Sequence, residues 1–515
     1  MTVISDLIEA GVSEFVLCGG ARNAPLIEAA VAAAEANPEI RTWRQFDERS
    51  AGFFALGRTM AHGLPCAVIV TSGTAAAELL PAVIEAHYQA RPLVLVTADR
   101  PEEYQGKGTP QGIDQHGIYS SYAEEVALDE WSGSRPLHLN VPLEEDARED
   151  SEIHEVGAFS PVRASFAVAP LASFLIEDVY RGLVIMVGGL DLIEREDVFH
   201  FCQAVGAPVV ADPASGLREL LGKRVLPDAD ALLRAKPPGK ILRLGQVPVG
   251  RFWRDLESLQ GIEVLSICRN GLPGLARESQ IIKGDVGRVI RGLGEPPHVG
   301  DALDHLRLVN VRQAGLDELC TSYPMAEQSI IRTLSVIATT GNSVFLGNSL
   351  PVREWGDFGQ KAVPMDEVRA MRGANGIDGQ VSCWLGSSVD EEESWAILGD
   401  LTTLYDLQGM AMAEQVEGRR VLLVINNGGG RIFDRLPRLE TMSGQAKEGL
   451  IQKQEMDLKG AADLWGWDFH KICSEDGFDL FDDLQGEKIL VEICPDEPQT
   501  GRFLNGLKQL RSRRI

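Results

Sequence analysis

Two short segments carry the residues best suited to hold a charged ligand. Gly399-Asp-Leu-Thr402 and Asn426-Asn-Gly-Gly-Gly430 each follow an apolar run, and Asp400 and Asn427 stand 27 positions apart. The runs at 395–398 and 421–425 read as β-strands. Ligands of open α/β sheets gather at the carboxyl ends of strands. Two neighbouring strand ends would therefore present one carboxylate and one carboxamide oxygen. A hard dication such as Mg²⁺ takes oxygen ligands, one or two from side chains and the rest from phosphate and water. The glycines let main chain approach a diphosphate. Either segment alone reads equally well as an ordinary polar turn; the pair, at this spacing, points to a metal–diphosphate site.

The elements that must position these residues follow an alternating pattern of short apolar runs and helical stretches, as in α/β folds with parallel sheets. Strands are expected at 15–18, 66–70 and 93–96, with a helix from Thr74 toward His87 that Pro81 should kink. Residues 1–165 thus form one doubly wound domain. A second, at 171–310, has strands at 183–187, 208–211 and 240–244, loops at Pro237-Pro238 and Pro296-Pro297, and no sharp catalytic signal. The third, at 325–515, has strands at 344–346, 395–398, 421–425 and 489–493. The acidic run Asp390-Glu-Glu-Glu393 reads as a solvated loop. The fold class is α/β, with three doubly wound parallel-sheet domains.

The chain has 515 residues and a formal net charge of −26, which argues against nucleic acid or an anionic membrane surface as the main partner. A small anionic substrate would need its own local arginines. Eight scattered cysteines without a Cys-x-x-Cys pair read as buried thiols in a reducing compartment. The histidines lack the His-x-x-x-His spacing of a zinc site. The N-terminus has no basic-then-apolar leader, and no apolar run approaches the roughly 20 residues of a membrane span. A cytoplasmic location is expected.

Further segments follow in order: Phe46-Asp-Glu-Arg-Ser-Ala-Gly-Phe53, Thr71-Ser-Gly-Thr74, Pro81-Ala-Val-Ile-Glu-Ala86, Thr97-Ala-Asp-Arg-Pro101 and Gln111-Gly-Ile-Asp-Gln115. Then come Gly347-Asn-Ser-Leu-Pro-Val-Arg353, Arg372-Gly-Ala-Asn-Gly-Ile-Asp-Gly379 and Gly430-Arg-Ile-Phe433. With the Asp400 and Asn427 segments, this series resembles the 2-succinyl-5-enolpyruvyl-6-hydroxy-3-cyclohexene-1-carboxylate synthases, thiamine diphosphate enzymes of menaquinone and phylloquinone synthesis. The likeness covers the first and third domains nearly throughout and the middle one loosely.

The resemblance implies thiamine diphosphate with Mg²⁺ or Mn²⁺, a pyrimidine-binding first domain, a central domain and a diphosphate-binding third domain. It implies that Glu48 bonds N1′ of the aminopyrimidine and activates the cofactor. Asp400, Asn427 and the Gly429 carbonyl would hold the metal. Thr74, Leu401, Thr402 and Gly429 would contact the cofactor, and Ile377 would support its bent shape. Ser349, Arg353 and Arg372 would face the substrates, with Ile432 and Phe433 lining the pocket and Arg22, Arg100 and Gln111 adding contacts from the first domain. The implied reaction is decarboxylation of 2-oxoglutarate and 1,4-addition of the remaining unit to isochorismate. The implied assembly is a homodimer or homotetramer with sites between chains. Both substrates are dicarboxylates, and guanidinium groups pair with carboxylates bidentately, so an arginine set agrees with the reading. Partial burial of Glu48 beside Phe46 and Phe53 should raise its pKa. The alternative for Glu48 is a surface pair with Arg44 or Arg49.

The chain departs from the family pattern at Ala21 and Asn23, at Thr109-Pro110, and at Gly250-Arg251-Phe252, where one cation of a Ser-Lys-Arg segment is lost. Two rival readings stay open: another thiamine diphosphate-dependent 2-oxo acid decarboxylase or carboligase, and a catalytically inactive relative. A nicotinamide dehydrogenase is weaker, because no Gly-x-Gly-x-x-Gly follows the strand before Gly188-Gly189.

Overall fold

The computed structural model describes residues 3–144, 155–160, 166–176, 182–299, 303–338, 342–360 and 367–512. Among these residues there are three sheets, and every strand pairing in them is parallel. The first contains β1 (Glu14–Leu17), β2 (Arg41–Arg44), β3 (Cys66–Val70), β4 (Leu93–Asp99) and β5 (Leu137–Pro142), in the order β2-β1-β3-β4-β5. The second contains β6 (Leu183–Val187), β7 (Val209–Ala211), β8 (Lys240–Leu244), β9 (Glu263–Cys268) and β10 (Gln280–Lys283), in the order β10-β9-β8-β6-β7. The third contains β11 (Ser343–Leu346), β12 (Glu367–Arg369), β13 (Glu393–Gly399), β14 (Arg419–Ile425), β15 (Asp468–Ile472) and β16 (Lys488–Ile493), in the order β12-β11-β13-β14-β16-β15. Central strands such as β3 and β14 are almost wholly apolar and buried, because helices cover both faces of a parallel sheet.

One sheet falls within each of the three expected segments. By packing, the chain divides into two compact units. Met1–Ala164, Gly373–Glu392 and Tyr405–Glu417 form one unit, which holds the first sheet. Ser165–Arg372, Glu393–Leu404 and Gly418–Ile515 form the other, which holds the second and third sheets. The Ala-rich helix breaks as expected: Thr74–Glu78 ends and Leu80–Gln89 begins, with Pro81 in the first turn of the second piece, where its missing N–H costs nothing.

Within the first unit, helix Glu48–His62 crosses helix Gln380–Ser387 at very close range. A Cβ on Gly57 would lie 2.2 Å from the Cys383 carbonyl oxygen, and one on Gly386 would lie 2.1 Å from that of Phe54. Only glycine permits this approach. The acidic run is not simply solvated: Asp390 receives the fully buried Arg58 at 2.7 Å and Arg41 at 2.6 Å, and Arg58 also holds Glu14. Burial of the thiols is uneven. Cys18, Cys66, Cys202, Cys268 and Cys383 are buried, whereas Cys473 is exposed. No helix of the described residues is long and apolar enough to cross a membrane.

Candidate active site

The strand order fixes where ligands can gather. In the first sheet the switch point lies between β1 and β3, and in the third between β11 and β13. The residues picked out from the sequence leave the carboxyl ends of these strands in two groups, one per unit.

In the first unit, Glu48 opens helix Glu48–His62, whose N-terminus is capped by the Asp47 carboxylate accepting from the Ser50 N–H at 2.8 Å. Glu48 is half-buried. Burial raises its pKa above the usual value, and the charges of Asp47 and Glu78 push the same way. Arg49 is engaged elsewhere, donating to the Tyr405 carbonyl at 2.9 Å and lying over the Tyr405 ring. Phe46 is 63% exposed, so it does not supply the burial expected of it; Phe53 is fully buried. Cys18, at the end of β1, feels the charge of Glu48 and is held neutral by its own burial.

The turn after β1 touches the turn after β3: a Cβ on Gly20 would meet the Thr71 side chain at 2.4 Å. Arg22 is buried and donates to the Leu143 carbonyl at 2.8 Å. Thr74 starts its helix and is exposed. Gln111, exposed and with φ +55°, lies against Gly73, and Arg100 donates to the neighbouring Pro110 carbonyl at 3.0 Å. Gln115, quoted in the same motif, is structural. It is fully buried, accepts from the Gly73 N–H at 2.7 Å and donates to Asn140 at 2.8 Å. Ile377, partly buried, sits in a loop whose first three N–H groups, from Gly373, Ala374 and Asn375, all donate to the buried Glu85 carboxylate at 2.6–3.2 Å.

In the second unit, β13 and β14 run side by side with Gly399 opposite Ile425, so Asp400 and Asn427 leave adjacent strand ends. Asp400 is buried. One of its oxygens accepts from the Leu401 N–H at 2.7 Å and the other from the Gly429 N–H at 2.6 Å. Burial raises its pKa, and these N–H groups oppose the shift. Leu401 and the buried Thr402 follow in the first turn of helix Asp400–Tyr405. Gly429 has φ +123°, and a Cβ there would stand 2.6 Å from the Ile451 carbonyl oxygen. Its own carbonyl accepts from the Arg431 N–H at 2.8 Å, leaving a second lone pair. The Asn427 amide nitrogen donates to both oxygens of Glu327 at 3.1 Å, while its carbonyl oxygen is buried with no hydrogen-bond partner among the described residues. An orphaned oxygen, a buried carboxylate and a carbonyl with a spare lone pair suit a hard dication.

A cluster of arginines adjoins this group. Ser349, with φ +73°, ends the turn after β11, and its carbonyl accepts from Arg353 at 2.5 Å. Arg372 is buried and donates to Asn348 at 2.8 Å. Burial, then the charges of Arg372, Arg435 and Arg254, bring the Arg353 guanidinium down to about 10, against the pull of Asp212. A guanidinium destabilised by its own kind is a site that an anion would stabilise. Ile432 and Phe433 lie partly buried in the short helical turn Arg431–Arg435, which also carries Arg435.

Sequence reasoning missed Arg254, Arg435, Asn348, Asp212 and Glu327. Arg435 stands two residues beyond the quoted Phe433 and was within reach of the motif. Arg254 adds a cation of the middle domain that the Gly250-Arg251-Phe252 segment did not name. Phe252 is fully buried in the core and Arg251 is exposed beside Asp255, so the cation that reaches Arg353 comes from Arg254.

The chain matches the family described as thiamine pyrophosphate enzyme, N-terminal TPP binding domain, over residues 1–118. It is 44% identical, over 95% of its length and 94% of the relative's, to the 2-succinyl-5-enolpyruvyl-6-hydroxy-3-cyclohexene-1-carboxylate synthase of Akkermansia muciniphila. The chain belongs to the 2-succinyl-5-enolpyruvyl-6-hydroxy-3-cyclohexene-1-carboxylate synthase family. Proteins of the same name from Bdellovibrio bacteriovorus and Listeria innocua are 36% and 30% identical over 97% and 92% of the chain, covering 96% and 90% of their own lengths. A solved structure of a putative thiamin diphosphate-dependent enzyme from Mycobacterium smegmatis superposes with TM-score 0.70 at 16% identity, over 96% of this chain and 99% of that one. That likeness bears on the fold. The three parallel sheets are those of a thiamine diphosphate enzyme, and this member of the synthase family is such an enzyme.

Proposed function

We propose that the protein decarboxylates 2-oxoglutarate and adds the four-carbon remainder to isochorismate in a 1,4-addition, giving 2-succinyl-5-enolpyruvyl-6-hydroxy-3-cyclohexene-1-carboxylate. The observation that carries the reading is Arg435. Its charge reaches Arg353 in the arginine cluster and also Glu327, which holds Asn427 on the candidate metal loop. The candidate carboxylate-binding arginines and the candidate metal loop thus share one neighbourhood in the second unit. Thiamine diphosphate supplies the electron sink for decarboxylation. Asp400, Asn427 and the Gly429 carbonyl hold Mg²⁺ or Mn²⁺, with Leu401 and Thr402 beside them. Glu48 holds the proton at the aminopyrimidine, Thr74 and Ile377 contact the cofactor, and Ser349, Arg353 and Arg372 orient the carboxylates against Ile432 and Phe433. Arg22, Arg100 and Gln111 add donors from the first unit. The reading carries with it a cytoplasmic homodimer or homotetramer, and domains at 1–165, 171–310 and 325–515.

Purified protein with thiamine diphosphate and Mg²⁺ is expected to consume 2-oxoglutarate quickly only when isochorismate is present. Chorismate should be a poor acceptor, because its ring double bonds are placed differently. Pyruvate should be a poor donor, because it lacks the distal carboxylate. Mass spectrometry of the product, alongside loss of isochorismate absorbance, decides the matter. Equal use of pyruvate, or full-rate decarboxylation without isochorismate, would favour the simple decarboxylase reading instead.

The arginines give a separate test. Arg353→Ala and Arg372→Ala should each lower kcat/KM for the substrates while leaving cofactor affinity intact. A hydrogen bond to a charged group is worth about 1.5–3 kcal/mol, so the loss should be on the order of tenfold or more. Unchanged steady-state kinetics in both variants would return these side chains to a structural role.

A further inference from the structure

We propose that Glu327 is a positioning residue that turns the Asn427 carboxamide so that its oxygen, and not its nitrogen, meets the divalent cation. This rests on the reading of Asp400 and Asn427 as metal ligands. Glu327 opens helix Glu327–Ile337, 100 residues before Asn427 in sequence, and is buried at 4% exposure. Both its oxygens lie 3.1 Å from the same Asn427 amide nitrogen. A carboxyl oxygen without a hydrogen accepts and cannot donate, and the group keeps at least one such oxygen even when protonated. With the amide turned over, the Asn427 oxygen would face that acceptor oxygen, and the amide nitrogen, which has no lone pair to offer a hard cation, would take the metal side. The orientation seen leaves the oxygen buried and without a partner.

Glu327 is itself held by its surroundings. Its N–H donates to the Thr500 hydroxyl at 3.1 Å; burial, then the Glu354 charge, raises its pKa well above the usual carboxylate value, against the Asn427 hydrogen bond and the Arg435 charge. Glu354 is in turn held by Gln328 at 2.7 Å and by Arg435. A fixed acceptor behind the ligand therefore sets which atom of Asn427 is presented, much as outer hydrogen bonds fix the orientation of metal-binding side chains elsewhere.

The test is Mn²⁺ affinity in the presence of thiamine diphosphate, read by electron paramagnetic resonance titration of the full chain. Glu327→Leu removes both acceptor oxygens at similar size and should raise the Mn²⁺ Kd by about 10–100-fold, the usual effect of losing such a partner. Glu327→Gln, which still offers one oxygen, should stay within a few-fold of wild type. In an Asn427→Ala background, Glu327→Leu should change the Kd no further, because the carboxamide on which it acts is gone. A merely structural role would add its own loss there. Glu327→Ala, whose cavity admits water, takes the same place if the leucine variant does not fold. A wild-type Kd in Glu327→Leu, or in Glu327→Ala where that stands in for it, or fully additive losses in the double variant, overturns the proposal alone. A wild-type protein that binds no Mn²⁺ with the cofactor overturns the metal reading and this proposal with it.

Discussion

Glu48→Gln is expected to leave the fold intact and to remove nearly all turnover. The variant keeps the size and hydrogen-bonding shape of the side chain but cannot give up or take a proton. A positioned acid–base group contributes about 10²–10⁴-fold, and a loss of that order in kcat is the expected result. The half-buried position at the head of helix Glu48–His62 motivates it, since burial and the Asp47 and Glu78 charges favour the protonated carboxyl. The same shift carries a stability consequence. A carboxyl whose pKa is raised on folding binds its proton more tightly in the native state than in the unfolded chain. The native state therefore loses stability as pH rises from the unfolded value through the raised one. Above that window, Glu48→Gln should melt at or above the wild-type temperature by circular dichroism. Near wild-type activity, with cofactor bound, would remove Glu48 from the chemistry; a lower melting temperature at neutral pH would mean that its charge stabilises the turn instead.

The second large effect concerns Asp400. In Asp400→Ala, a hard ligand and a negative charge disappear together, and the Gly429 N–H loses its 2.6 Å acceptor. Thiamine diphosphate affinity measured by calorimetry in Mg²⁺ should fall by more than the roughly 10–100-fold that follows loss of a partner behind a metal ligand. Asp400→Asn separates the two contributions, because its oxygen can still accept from a backbone N–H but brings no charge. If Asp400→Asn binds as wild type does, the carboxylate serves the turn and not a cation. Wild-type affinity in both variants would make the Asp400–Asn427 pairing a coincidence of two turns.

The parts of the fold that could be read from sequence are those where burial is two-sided. Strands β3 and β6 are continuous apolar runs, and β14 is one from Val421 onward, because helices cover both faces. The strands missed were β2, β5, β10, β12 and β15, all at sheet edges, and β9. Edge strands such as Arg41–Arg44 and Asp468–Ile472 carry polar residues and lose the apolar signal. For the candidate site, Asp400 and Asn427 were legible because adjacent parallel strands place their ends a short, fixed sequence distance apart. Glu327 was not, because nothing local in an 11-residue helix of mixed composition records a partner 100 positions away. Arg254 lies three positions beyond Arg251, and only its charge acting on Arg353 separates the two. Phe46 went the other way: an aromatic flanking Glu48 reads as cover, but it is exposed.

The first unit is not made from one stretch of chain, and this sets the order in which the molecule can be finished. Its N-terminal part ends at residue 164, but the helix that packs against Gly57, and the buried Asp406 that accepts from Ser50 at 3.1 Å, come from segments that close only at residue 417. At about 5–20 residues per second, a ribosome takes roughly 10–50 s to bridge that gap. During that interval Phe53, Phe54 and the glycine face of helix Glu48–His62 lack their cover, and Arg58 lacks its Asp390 partner. The nascent chain thus passes through a long stage in which a finished-looking sheet displays an apolar flank, and holdase chaperones have their best opportunity to engage it.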